Sequence, residues 1–193
     1  MSDAELVTLS QQGNLQAFND LAHRWDGSLF RFARRTLGDD EEARDVCQEA
    51  LTKAYLNIGR LRDPAKFKSW VHHIALNLCR DRFRSPRRRA VTAEYEEGEA
   101  GEMHLVEAMG NAQTGEREER RVLLGRLLEG VMGRLPEEQR TAILLREYQG
   151  FTSEEIAEIT GVPATTVRTR IFYGLKTLRK ALNDRGVTST EWR

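Results

Sequence analysis

An all-α chain in two small domains is what the sequence predicts, and three observations predict it. Apolar residues recur at three- and four-residue spacing wherever the 193-residue chain has any period. Aromatic residues make up 7% and strand-like alternation is nearly absent. A glutamate-rich stretch without apolar period separates two helical halves. Lysine plus arginine equals aspartate plus glutamate at 30 each, so nucleic-acid binding must rest on local patches and not on a global basic field. No apolar run reaches the roughly 20 residues of a membrane span. Met1 to Leu9 carries two acids and no base, which argues against a secretory signal and for the cytoplasm.

The first helix is expected over Asn14 to Leu37, where Leu15, Phe18, Leu21, Ala22, Trp25, Leu29 and Phe32 form a stripe, Asn14 caps the start and Gly38 the end. A second runs from Asp40 to Ile58, with Ala43, Val46, Ala50, Ala54 and Ile58 inward and Asp40, Glu41 and Glu42 suiting its N-terminal dipole. A third begins after Asp63-Pro64 and reaches Phe83, since Pro64 sits where a first-turn residue needs no donor. Six arginines against one aspartate fill Arg80 to Arg89, and Pro86 ends the helix. Cys47 and Cys79 fall inside helical patterns as small packing residues; without clustered ligands at zinc spacing, no metal is expected.

From Glu94 to Glu119 there are nine glutamates, one arginine and four glycines, the composition of a flexible acidic linker. The expected limits are 1–92 for the first domain, 93–120 for the linker and 121–193 for the second. Val122 to Arg134 and Pro136 to Tyr148 read as helices, followed by a helix-turn-helix from Phe151 to Leu182. Thr152-Ser-Glu-Glu155 is a capping box, and Phe151 with Ile156 forms a hydrophobic staple. Gly161 permits the left-handed turn, and Pro163 opens the next helix, whose Val167, Ile171, Leu175, Leu178 and Leu182 are expected to be buried.

The opposite side of that last helix collects Thr165, Thr166, Thr169, Phe172, Tyr173 and Lys176, flanked by Arg168 and Arg170. Five bases and no acids lie between Gly161 and Leu182. Hydroxyls, arginines and aromatics in the early turns suit a helix entering the major groove, where arginine pairs with guanine and apolar edges meet thymine methyls. A second face, on the helix after Pro64, gathers Trp70, His73, Asn77, Arg80 and Arg84. An aromatic, an amide and arginines suit unstacked bases and their phosphates, but a core tryptophan with solvated neighbours has the same spacing, and spacing leaves both readings open.

Several segments together resemble the bacterial group 4, or extracytoplasmic-function, RNA polymerase sigma factors of the sigma-70 family. They are Gly13-Asn-Leu-Gln-Ala-Phe18, Asp45-Val-Cys-Gln-Glu49, Phe67 to Asn77, Leu135-Pro-Glu-Glu-Gln-Arg140, Gly150 to Ala157 and Val167-Arg-Thr-Arg-Ile171. The resemblance spans nearly the whole chain and implies a region 2 bundle joined to a region 4 helix-turn-helix domain, with no catalytic residues and no cofactor.

It also implies partners: core RNA polymerase, promoter DNA both double-stranded and melted, and an anti-sigma factor, with a stress- or signal-responsive regulon. Asp45, Gln48, Glu49 and Thr52 would dock on the polymerase clamp. Arg62, Lys66, Trp70, His73, Asn77, Arg80 and Arg84 would capture the melted downstream element. Thr165, Thr166, Arg168, Thr169, Arg170, Phe172, Tyr173 and Lys176 would read the upstream element. His72 and His73 stand where such proteins often carry leucine, tyrosine or arginine, and Asp81 adds an acid. The linker glutamates, Glu94 to Glu102 among them, are expected to occupy the polymerase cleft. A free-standing operator-binding regulator would explain the second domain equally well, but not the Asp45 to Glu49 face.

Overall fold

The computed structural model describes residues 1–84, 125, 127, 128 and 130–184; the arginines at 87–89 and the acidic linker lie outside them. Helix α1 (Asp3–Gln11) precedes everything the sequence periodicity picked out. Ser2 and Glu5 form a capping box, the Ser2 amide donating to Glu5 Oε2 at 2.7 Å, and Leu6 and Val7 are buried. Gln11 Nε2 then donates to the carbonyls of Ile58 and Leu61 at 3.0 and 2.8 Å, tying α1 to a distant loop.

Helix α2 (Leu15–Leu37) starts at the expected cap, Asn14 accepting from the Ala17 amide at 3.1 Å, and α3 (Asp40–Asn57) starts at Asp39, which accepts from the Glu42 amide at 2.8 Å. Gly38 ends α2 with φ 74°, a left-handed conformation natural to glycine. A 3-10 turn at Pro64–Lys66, capped by Asp63, leads into α4 (Phe67–Arg84). Ala43, Ala50 and Ala54 line the buried side of α3, so α2 and α4 approach it closely and enclose Leu21, Leu29, Phe32, Phe67, Val71 and Leu76.

In the second half, residues 130–133 are helical, and α5 (Glu137–Ile143) runs directly into a π turn over Leu144–Tyr148. The wide turn changes which way consecutive side chains face. Ile143 packs with Leu178 in a small core of the second domain, whereas Leu144 and Leu145 join the large one. Helix α6 (Ser153–Thr160) has the capping box at Thr152 and Glu155, and Gly161 closes it at φ 73°. Helix α7 (Ala164–Asn183) follows, with Pro163 one residue before it.

Two expected core positions are corrected. Leu15 is 55% exposed, because α2 begins at the mouth of a groove that its first residue overhangs. Leu175 is 41% exposed, because α7 turns Gly174 toward α5 instead; a Cβ there would lie 2.6 Å from Ile143 Cδ1, and the next residue is rotated outward. Glycine in mid-helix costs about 1 kcal/mol, offset here by close helix packing.

The domains share a core. Leu144, Leu145, Phe151, Ile156, Ile159 and Val167 belong to the same buried cluster as Leu21, Phe32 and Leu76. Among the described residues no helix is long and apolar enough to cross a membrane.

Candidate nucleic-acid interface

The outer face of α7 presents what a groove-reading helix needs. Thr165, Arg168, Thr169 and Lys176 are exposed, Thr166 and Arg170 half-buried. Phe172 and Tyr173 stand 63% and 52% exposed, their rings edge to face at 5.4 Å. Both rings stand in water with no element of the chain covering them among the described residues. Thr169 Oγ1 donates to the Thr165 carbonyl at 3.0 Å.

Arg168 is ion-paired with Glu154 of α6, both side chains more than half exposed. A surface pair of this kind contributes little to stability, but it occupies the guanidinium that the sequence assigns to DNA. Glu154→Gln should therefore raise affinity for duplex DNA by about two- to fivefold, an exchange worth up to about 1 kcal/mol. Anisotropy titrations at fixed salt would show it, and an unchanged or weaker affinity would place Arg168 off the DNA.

The seven residues singled out around α4 are not equally placed. Arg62, Asn77 and Arg84 are exposed. Trp70 is half-buried against Phe67, ring centroids 6.1 Å apart, and packs against the core on that side. Lys66 pairs with Glu158 at 2.5 Å, Arg80 with Glu137 at 3.3 Å, and His73 Nδ1 donates to the Ile159 carbonyl at 2.7 Å. These three partners all come from the second domain. Asp81 is exposed.

On α3, Asp45, Gln48 and Thr52 are exposed, and Gln48 and Thr52 edge a groove of about 560 Å³ floored by Phe18, Phe30, Leu51 and Tyr55. Glu49 is engaged within the chain, with Lys53 at 2.9 Å and Arg82 at 3.2 Å. The hydrogen bond from Lys53, with help from Arg82, holds its carboxyl below the usual range. Cys47 lies beside Asp26, and burial first, then that carboxylate, push its thiol up to about 12. It is buried in the core, as a packing residue is.

Sequence spacing missed His72. It is fully buried, with Nδ1 donating to the Lys68 carbonyl at 2.8 Å and Nε2, near the Gln149 side chain, in no well-formed hydrogen bond among the described residues. The rings of Trp25, Phe32 and Phe151 surround it at 6.0, 5.8 and 4.9 Å. Burial pulls its pKa down to about 4, outweighing the bond to Lys68.

A helical bundle with a basic helix on one side, joined to a helix-turn-helix whose last helix faces outward, is the plan of the chain. Known proteins share this plan. Family models for Sigma-70 region 2 and Sigma-70 region 4 match residues 21–89 and 125–178. The chain is 34% identical to the RNA polymerase sigma-H factor of Pseudomonas aeruginosa over 184 residues, 93% of either protein. It is 30% identical to the ECF RNA polymerase sigma factor SigW of Bacillus subtilis over 174 residues, 90% of this chain and 93% of that one. In fold it resembles CnrH, solved in complex with the cytosolic domain of CnrY, with a TM-score of 0.68 and 23% identity over 94% of this chain and 97% of that one. The sigma factor RpoE of Bartonella quintana, solved with the anti-sigma factor NepR, gives 0.67 and 20% over 88% and 98%. The chain belongs to the extracytoplasmic-function sigma factors of the sigma-70 family.

Proposed function

We propose that this sigma factor binds core RNA polymerase and directs it to a defined set of promoters, acting in the cytoplasm and catalysing no bond chemistry itself. The observation that carries the reading is the pairing, in one chain, of an outward groove-reading helix with a separate basic helix suited to single strands. Thr165, Thr166, Arg168, Thr169, Arg170, Phe172, Tyr173 and Lys176 read the upstream element. Arg62, Lys66, Trp70, His73, Asn77, Arg80 and Arg84 hold the melted downstream strand. Asp45, Gln48 and Thr52, with the apolar groove beside them, dock on the polymerase, and Glu49 serves there mainly by fixing α3 to α4 through Arg82. The proposed domain limits are 1–92 and 121–193. An anti-sigma factor is the expected antagonist, since one protein of the same fold was solved with an anti-sigma factor and another with the cytosolic domain of CnrY.

Run-off transcription tests the reading. Protein added to core polymerase should yield discrete promoter-dependent transcripts, and Arg168→Ala should weaken promoter recognition by about 1–3 kcal/mol, as loss of a base contact does, while core binding stays unchanged. A chain that binds duplex operator as a dimer yet gives no transcript with core would overturn it.

A further inference from the structure

Helix α1 does not need Gln11 to stay in place. Leu6 and Val7 are buried beneath it, Trp25 Nε1 donates to Asp3 Oδ2 at 3.0 Å, Arg24 pairs with the same carboxylate, and the Asn14 amide donates to the Leu9 carbonyl at 3.0 Å. Both ends of the helix are held by other groups. Gln11 Nε2 nevertheless donates to the Ile58 and Leu61 carbonyls at 3.0 and 2.8 Å, 47 and 50 residues away, as a primary amide with two hydrogens can. Those carbonyls bracket the 3-10 turn Ile58–Arg60.

Beyond that turn lies the loop that carries Arg62. A peptide unit is planar, so the bond that fixes the Leu61 carbonyl also fixes the plane of the Arg62 amide and the direction in which the chain leaves it. On the far side, Asp63 Oδ1 accepts from the Ala65 amide at 3.0 Å, the Lys66 amide donates to the Asp63 carbonyl at 3.0 Å, and Ser69 Oγ donates to the Lys66 carbonyl at 3.2 Å. Lys66 is thus anchored by hydrogen bonds within the turn and from α4 that do not involve Gln11. Arg62 stands exposed between the two anchored stretches, and its backbone enters from the peptide that Gln11 holds.

We propose that Gln11 is a positioning residue for the melted downstream strand: its amide sets the course of the Leu61–Arg62 peptide and so aims the Arg62 guanidinium at a backbone phosphate. The inference rests on the strand-binding reading of this loop. Fixing a loop before its ligand arrives removes part of the ordering cost of binding, so the effect belongs to strand affinity. Release of a condensed counterion requires the cation to sit at a phosphate. A misaimed Arg62 therefore changes the salt dependence of strand binding although no charge has been removed.

Holoenzyme assembled from core polymerase and the full chain provides the test. The probe is a labelled single strand carrying the downstream element of a promoter that this holoenzyme selects from random-sequence DNA, with core polymerase alone as background. Arg62→Ala should weaken the strand by about five- to tenfold at ~0.05 M salt and flatten the plot of log affinity against log salt by about 0.7, the loss of one phosphate contact. Gln11→Met, close in size and uncharged, should shift both in the same direction, the affinity by about threefold or more. Gln11→Asn keeps the amide but is too short to span both carbonyls, and should do the same. Neither Gln11 variant should weaken the strand further once Arg62 is alanine, whereas Lys66→Ala should add to either. In the Gln11 variants, core binding and duplex binding at the upstream element should not change. A salt slope unaltered in both Gln11 variants overturns the proposal, and so does full additivity with Arg62→Ala. If Arg62→Ala leaves the strand bound as before, the strand-binding reading of the loop fails first and the proposal with it.

Discussion

Phe151→Ala should destabilise the whole chain by about 3–5 kcal/mol, the cost of emptying a fully buried aromatic site, and lower the melting temperature on the order of 10 °C. Phe151 is inaccessible to solvent and does three things at once. It staples the start of α6 through Ile156, seals the wide turn after α5 through its amide on the Leu145 carbonyl at 3.1 Å, and lies against His72 in the other domain. A residue confined to one domain would melt that domain alone. Calorimetry on Phe151→Ala should therefore show both halves shifting, and Phe151→Leu, which keeps most of the volume, should shift them far less. A shift limited to the second domain would mean that the shared core contributes little to either half.

His72 should make stability pH-dependent over a narrow window. Folded, its imidazole is neutral down to about pH 4; unfolded, it takes a proton near the ordinary value of about 6.5. A group whose folded pKa is depressed in this way favours the unfolded chain as pH falls. Stability is thus unaffected above about 6.5, is lost progressively between there and 4, and is not lost further below, for a total of about 3 kcal/mol. The rings of Trp25, Phe32 and Phe151 face the imidazole, and Lys68 on its own helix adds a same-sign charge. Urea unfolding at pH 7 and pH 4.5, compared between the unaltered chain and His72→Leu, checks this. His72→Leu should flatten the difference, and equal pH dependence in both would rule His72 out as its source.

Much of this molecule is legible in the sequence because much of it is local. The box at Thr152 and Glu155, the left-handed Gly161 and the cap at Asn14 act within one turn, and a linear reading reaches that far. Helix α1 escapes because adjacent Leu6 and Val7 set no period over so short a segment. Leu15 and Leu175 were assigned inward because periodicity identifies an apolar stripe without saying where its cover ends. The α4 face shows the limit most clearly. His73 and Asn77 were identified as neighbours on one side, but the Ile159 carbonyl that holds His73 is 86 residues away. His72 stood out only as an unusual residue in that helix; its meaning depends on Phe151, which no spacing rule brings near. The outward side of α7 is legible in the sequence, apart from the tie between Arg168 and Glu154 across the turn.

The joint between Leu145, Phe151 and His72 also bears on how long an idle copy of this protein survives. Parted without a partner, the domains would show water an apolar seam, the kind of surface that invites aggregation and proteolysis. Kept shut, the chain offers neither. The contact that holds the two halves together thus also sets how long the folded chain lasts: a molecule parted at this seam is the one soonest cleared.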